Sequence, residues 1–268
     1  MIKKSKKCLA LILSGAAVSS FMGNFGAVAM NPSPAAAAAA SAPRGSAWSN
    51  PLALQALRHQ SDTGITEEDL EKPWVRHAFE IYGNLIRKLK YKKVVGKKLE
   101  RSGKKCKSLC KLYKQDVDHN RRTGEGICRT FAFRVIYEFL EKSKKVGEHV
   151  EIYPLTLHLC DGSSHNVAVF IVDGKKYVMD VTTALTPSCE FPYIFTLENY
   201  LKYYSSHYLK VTDCAVIFED VSTCEKPLKD SCLVGLDPNT GKGYRFVAPE
   251  GETNFQKFVE VARIWGEM

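Results

Sequence analysis

Two runs rich in β-branched and aromatic residues, Ser163 to Val172 and Lys175 to Thr183, flank the dipeptide Asp173-Gly174. An Asp-Gly pair between such runs is a strong signal for a two-residue β-hairpin, because both turn residues must adopt positive φ. That turn also fixes a register. If Val172 pairs with Lys175 and the ladder continues one for one, His165 faces Thr182 and Asp180 faces Val167. His165 and Asp180 are then diagonal neighbours on one sheet face, close enough for an imidazole and a carboxylate to hydrogen-bond. The first run is apolar on both faces, Val167, Val169 and Ile171 on one and Ala168, Phe170 and Val172 on the other. The hairpin therefore belongs in the middle of a sheet covered on both sides. Asn166 should point to the face opposite His165 and is a poor substitute for Asp180.

Upstream, "GEGICRTFAFRVIYEF", residues 124 to 139, sets one cysteine between a glycine-rich turn and an apolar helical repeat. Ile127, Phe131, Val135 and Phe139 recur at intervals of four, and Ala132, Ile136 and Leu140 widen the stripe into a largely buried face. Gly124 and Gly126 let the backbone turn sharply into the helix. Cys128 then meets unsatisfied amide N–H groups and the positive end of the helix dipole, both of which favour thiolate over thiol. A thiol at a helix start, with a histidine and an aspartate in register, has the order of a nucleophile, its base and the base's orienter.

The chain around these motifs has 268 residues, 45% hydrophobic and 25% charged, which excludes fibrous and disordered classes. Residues 1–29 read as a bacterial-type secretory signal peptide: a lysine-rich start, a short apolar core from Leu9 to Phe21, and Ala27-Val28-Ala29 as cleavage signal. Residues 30–50 form an Ala/Pro/Ser-rich disordered linker, and residues 51–268 are the folded domain. Pro51 to Gln60, a start at Thr66-Glu67-Glu68-Asp69 with an N-cap pattern, and Trp74 to Lys90 read as helices. Downstream, "HVEIYPLTLHL", "CAVIFED" and "YRFVAP" read as strands, and "FTLENYLKYYSSHYLKV" and the C-terminal "FQKFVEVARIWGEM" as helices. Tyr200, Tyr203, Tyr204 and Tyr208 are read as packing residues on the first of those two helices.

Loss of the leader removes Lys3, Lys4, Lys6 and Lys7, so the formal charge of +9 becomes +5. Residues 81–122 hold 15 Lys and Arg against Glu100, Asp116 and Asp118. Such a block is either a solvated face or a docking surface for an anionic surface or polymer. No motif accompanies it that would point to nucleic acid. Export permits disulfides among the eight cysteines left after Cys8, namely Cys106, Cys110, Cys128, Cys160, Cys189, Cys214, Cys224 and Cys232. Cys106 and Cys110 share a helical face, but no second pair at zinc spacing accompanies them, so neither a metal nor a cofactor is expected. His158 is read as a sheet-packing or surface residue, and Asn120 as a turn residue ahead of the cysteine.

"GEGICRTFAF", "HNVAVFIVDGKKYVMDVT" and the order Cys128, His165, Asp180 resemble the transglutaminase-like superfamily. The resemblance implies an α+β fold with a transglutaminase-like/papain-like core, in which N-terminal helices and a Cys-bearing helix pack on an antiparallel sheet of about four to six strands. It also implies an exported cysteine enzyme, secreted or resident in the cell envelope or periplasm. Its Cys-His-Asp triad would cleave or transfer acyl groups at peptide or amide bonds of a protein or peptide substrate, as a protease, deamidase or acyltransferase. An aromatic residue often follows the family's histidine, whereas Asn166-Val167 stands here. A catalytically inactive module of the same superfamily, binding through the basic block, is the alternative. "RRTGEGIC" is similar to the cysteine approach of arylamine N-acetyltransferases, a lesser alternative that export disfavours because acetyl-coenzyme A is cytoplasmic.

Overall fold

A computed structural model describes residues 50–92, 109–185, 194–218 and 232–247. The leader, almost all of the linker, Cys106, Cys189, Cys224, the centre of the basic block and the C-terminal helix lie outside the described residues, so those expectations are not addressed by it. The fold is mixed α+β. Its centre is a sheet of seven described strands in the order β6-β5-β4-β3-β7-β8-β9, antiparallel throughout. The strands are β3 (Glu151–Leu159), β4 (Ser164–Val172), β5 (Lys175–Met179), β6 (Ile194–Thr196), β7 (Val211–Phe218), β8 (Cys232–Leu236) and β9 (Gly243–Val247). Seven exceeds the four to six expected because Ile194–Thr196 and Cys232–Leu236 are short. The first runs straight into a helix and the second carries Gly235, so neither announces itself as a strand.

The hairpin forms as its turn dictates. Asp173 and Gly174 take φ of 51° and 76°, and β4 pairs with β5 from Val172↔Lys175 to Ala168↔Met179. There the expected register ends. Asp180 leaves the ladder and caps a one-turn helix, so Thr182 does not face His165 and Asp180 does not face Val167.

Ahead of the sheet run α1 (Pro51–Arg58), α2 (Gln60–Thr63), α3 (Glu67–Glu71), α4 (Pro73–Ile86), β1 (Lys90–Tyr91), α5 (Leu109–Thr123) and β2 (Glu125–Gly126). Local chemistry accounts for these starts. Asn50 caps α1 through Leu52 N (3.0 Å), and Pro51 and Pro73 occupy first-turn positions where a missing N–H costs nothing. Thr66 and Asp69 form the reciprocal capping box that opens α3. The cysteine helix, α6 (Cys128–Val146), ends at Gly147 in the left-handed conformation, φ 74°.

Two cores sandwich the sheet. On one face α6 and α4 pack Phe131, Val135, Phe139, Trp74 and Phe79 against Ala168, Phe170 and Tyr177; Phe139 lies 5.1 Å from Phe170 and 5.9 Å from Trp74, centroid to centroid. On the other, α8 (Leu197–His207) lays Leu197, Tyr200, Leu201 and Tyr204 on Val167, Val169, Val178 and Phe195. Each buried Phe or Leu contributes about 1.5–3 kcal/mol relative to exposure, so β4 is held from both sides. Among the described residues no helix is long and apolar enough to cross a membrane.

Candidate functional site

The thiol is positioned by a backbone loop tied down on several sides. Gly124 adopts φ +71°, and a Cβ there would lie 2.3 Å from the Lys88 carbonyl oxygen, so only glycine fits. The parallel pair β1–β2 adds Lys90 N to Gly124 O (2.8 Å) and Lys92 N to Gly126 O (2.9 Å). Asn120 is not the turn residue expected: it lies in the last turns of α5 and braces the loop from there, donating Nδ2 to Glu125 O (3.0 Å). Out of this loop α6 begins, with Cys128 as its first residue and Ile127 as an N-cap that offers no side-chain acceptor. The leading amides of α6, that of Cys128 among them, therefore lack the usual side-chain partner.

Why the sulfur reaches β4 follows from where the hairpin ladder stops. In a two-residue hairpin, Val172, Phe170 and Ala168 direct their backbone groups toward β5, and by the same alternation so does Asn166. Because β5 ends at Met179, that side of Asn166 has no strand beside it. Cys128 occupies the space and accepts hydrogen bonds from the Asn166 backbone and side chain, with Nδ2 to Sγ at 4.0 Å.

His165 stands next to Asn166 on β4. Its Nε2 is 2.9 Å from Asp180 Oδ2, and the Cys128 thiol is a further electrostatic partner. With Nε2 engaged by Asp180, Nδ1 is the nitrogen left for sulfur. Tyr204 stacks on the imidazole at 5.1 Å and 14° between planes. Asp180 is the N-cap of α7 (Val181–Ala184): Oδ1 accepts from Thr183 N (3.1 Å), while Oδ2 accepts from His165, from Tyr200 OH (3.0 Å) and from the Thr183 hydroxyl. The arrangement thus joins Cys128, His165 and Asp180, all buried.

Burial alone would neutralise each group, yet the partners outweigh it. For Cys128, burial pushes the thiol up, but His165 and Asn166 hold it below the ordinary thiol value. For His165, burial favours the neutral ring, but Tyr204, Asp180 and the thiol raise it well above the usual imidazole value. For Asp180, burial is overcome by His165 and Thr183, which keep the carboxyl below the usual carboxylate range. Both shifts favour the thiolate–imidazolium form of the pair over the neutral one. Burial, followed by the Cys128 charge, pushes the Tyr91 hydroxyl up to about 12.

Three neighbours escaped the reading of the sequence. Asn166 does face away from His165, but the face it turns to is the one holding sulfur. Tyr200 and Tyr204 pack as expected, and in addition one donates to Asp180 and the other covers the imidazole. His158 lies half-buried on β3. No family model, curated protein or solved structure matches this chain.

Proposed function

We propose that this chain is a thiol enzyme acting on peptide or amide bonds, built on a transglutaminase-like/papain-like core and exported to the cell envelope or beyond. One observation carries the reading: a single imidazole joined to a helix-start thiol on one side and to a buried carboxylate on the other. His165 holds the proton of Cys128, and Asp180 keeps the ring oriented without taking that proton. The thiolate adds to the substrate carbonyl, and the Cys128 amide at the uncapped start of α6 donates to the developing oxyanion. The imidazolium then protonates the leaving amine. Attack of water on the thioester completes hydrolysis; attack of an amine completes transfer.

Alkylation with iodoacetamide between pH 5 and 9, read by peptide mass spectrometry, tests this with an internal standard. Cys160 is free and exposed whereas Cys128 is free and buried. Faster modification of Cys128 than of Cys160 at pH 6 to 7 is the expected result, despite its burial. Equal or slower modification overturns the enzyme reading and favours a module that binds without catalysis.

A further inference from the structure

We infer that Asn166 is the second donor of the site, holding the thiolate at rest and the substrate oxyanion during acylation, with Thr156 as the positioning residue that orients its amide. The inference rests on the thiol-enzyme reading above and names a component that reading lacks. Thr156 and Asn166 are direct partners in the β3–β4 ladder, so their side chains share a face. Thr156 Oγ1 donates to Asn166 Oδ1 at 2.9 Å. That bond engages the oxygen end of the carboxamide, and the nitrogen end is the one facing Cys128 Sγ, at 4.0 Å. Thr156 is itself buried, which holds the pair away from competing water.

The carboxamide nitrogen carries two N–H donors and its contact with sulfur, at 4.0 Å, engages one of them, so it retains capacity for an oxygen bonded to the same adduct. Catalytic hydrogen bonds are often long before substrate arrives and shorten in the complex. A carboxamide also neither gains nor loses a proton over the working pH range, so it donates in every state of the Cys128–His165 pair. In the step itself, the Sγ–carbon bond forms and the carbonyl π pair moves onto oxygen. When that pair returns, the bond to the leaving group breaks. Asn166 and the Cys128 amide lend hydrogen bonds throughout and transfer no proton.

Two reagents separate the two roles in the full chain. Iodoacetamide alkylation displaces iodide with no oxyanion and reports sulfur alone, whereas acylation by p-nitrophenyl acetate passes through a tetrahedral oxyanion. With Asn166→Ala, the inflection of alkylation against pH should move upward, lowering the pH 6.5 rate by about tenfold or more, as expected for loss of a hydrogen bond to a charged group. On the alkaline plateau, where sulfur is fully ionised, acylation should still fall about 100-fold relative to alkylation, the effect of deleting one oxyanion donor. Asn166→Asp keeps the shape and should shift the inflection at least as far. Thr156→Val should produce a smaller shift, and Thr156→Ser should restore the wild-type profile. An acidified Cys128 in the wild type, with Asn166→Ala and Asn166→Asp leaving both profiles unchanged, overturns the role of Asn166 while the thiol-enzyme reading stands. Equal falls in acylation and alkylation on the plateau overturn the oxyanion role. A wild-type Cys128 with no acidified inflection removes the reading and this inference together.

Discussion

Asp180 and Asp69 are built almost alike. Each is about 1% exposed, each stands at the first turn of a short helix, and each accepts hydrogen bonds from a tyrosine hydroxyl and a basic side chain. Around Asp69 the partners are Tyr177 OH (2.6 Å), Lys175 Nζ (2.5 Å) and Thr66 N (2.9 Å). Around Asp180 they are Tyr200, His165 and Thr183. Both carboxyls are held below the usual range against the effect of burial. The difference lies in the cation. Lys175 brings a single charged end that stops at Asp69, and the cluster ties the hairpin turn to α3. His165 has two nitrogens, so a carboxylate on one changes what the other does to sulfur. The same structural device is a fastening in one place and a support for the thiol–imidazole pair in the other.

The largest expected effect separates the two. His165→Ala removes the main partner that opposes burial, so the inflection of Cys128 alkylation should move upward and the rate at pH 6.5 fall by about 100-fold, the thiolate deficit of a thiol two units below its pKa, while Lys175→Ala leaves alkylation of Cys128 unchanged. Second, Asp69→Asn should lower unfolding free energy by about 2 kcal/mol, less than a fully buried pair because Lys175 can turn toward water. Urea unfolding measures it, and Cys128 reactivity serves as the control. Since the folded-state pKa of Asp69 is depressed, its contribution is present above the unfolded value near 3.9 and fades as pH falls through the folded value. The cost of Asp69→Asn should therefore shrink on acidification. Third, Asp180→Asn keeps a competent helix cap but removes the charge that sustains the imidazolium, so alkylation at pH 6.5 should fall about tenfold, one pKa unit's worth. The smallest effect is that of Lys175→Arg, about 1 kcal/mol or less, because the positive charge beside the buried Asp69 is kept.

The hairpin and the cysteine helix were legible because each carries a strong local pattern: Asp-Gly between two β-branched runs, and apolar residues at every fourth position from Ile127 to Phe139. The triad residues could be named for the same reason. What the register could not supply was its own end. Asp180-Val181-Thr182-Thr183 is both a β-branched run and an aspartate cap followed by a hydroxyl at the third position. Packing of Val181 and Ala184 into the core beneath α6 and α4, with Tyr200 of α8 reaching Asp180, favours the helix, and no local pattern encodes that choice. Asn166 was missed in consequence, since its open edge exists only because β5 stops. Pro154 in β3 is unusual for an interior strand, yet the β3–β7 ladder begins only at Leu155, so no bond from its missing N–H is needed there.

The cap that Asp180 provides makes the state of the Cys128–His165 pair answerable to a very small piece of secondary structure. Helix α7 is four residues long, and isolated helices of that length are not stable without tertiary support. Fraying of this single turn would free Thr183 from Asp180 and release the carboxylate from its fixed bearing on His165, while the seven strands stay paired. On warming, the fast alkylation of Cys128 should therefore fail below the global melting temperature, in step with deuterium exchange at the Thr183 amide. The upper thermal limit of reactivity is then set by the local opening of one turn, and strengthening the sheet would do nothing to raise it.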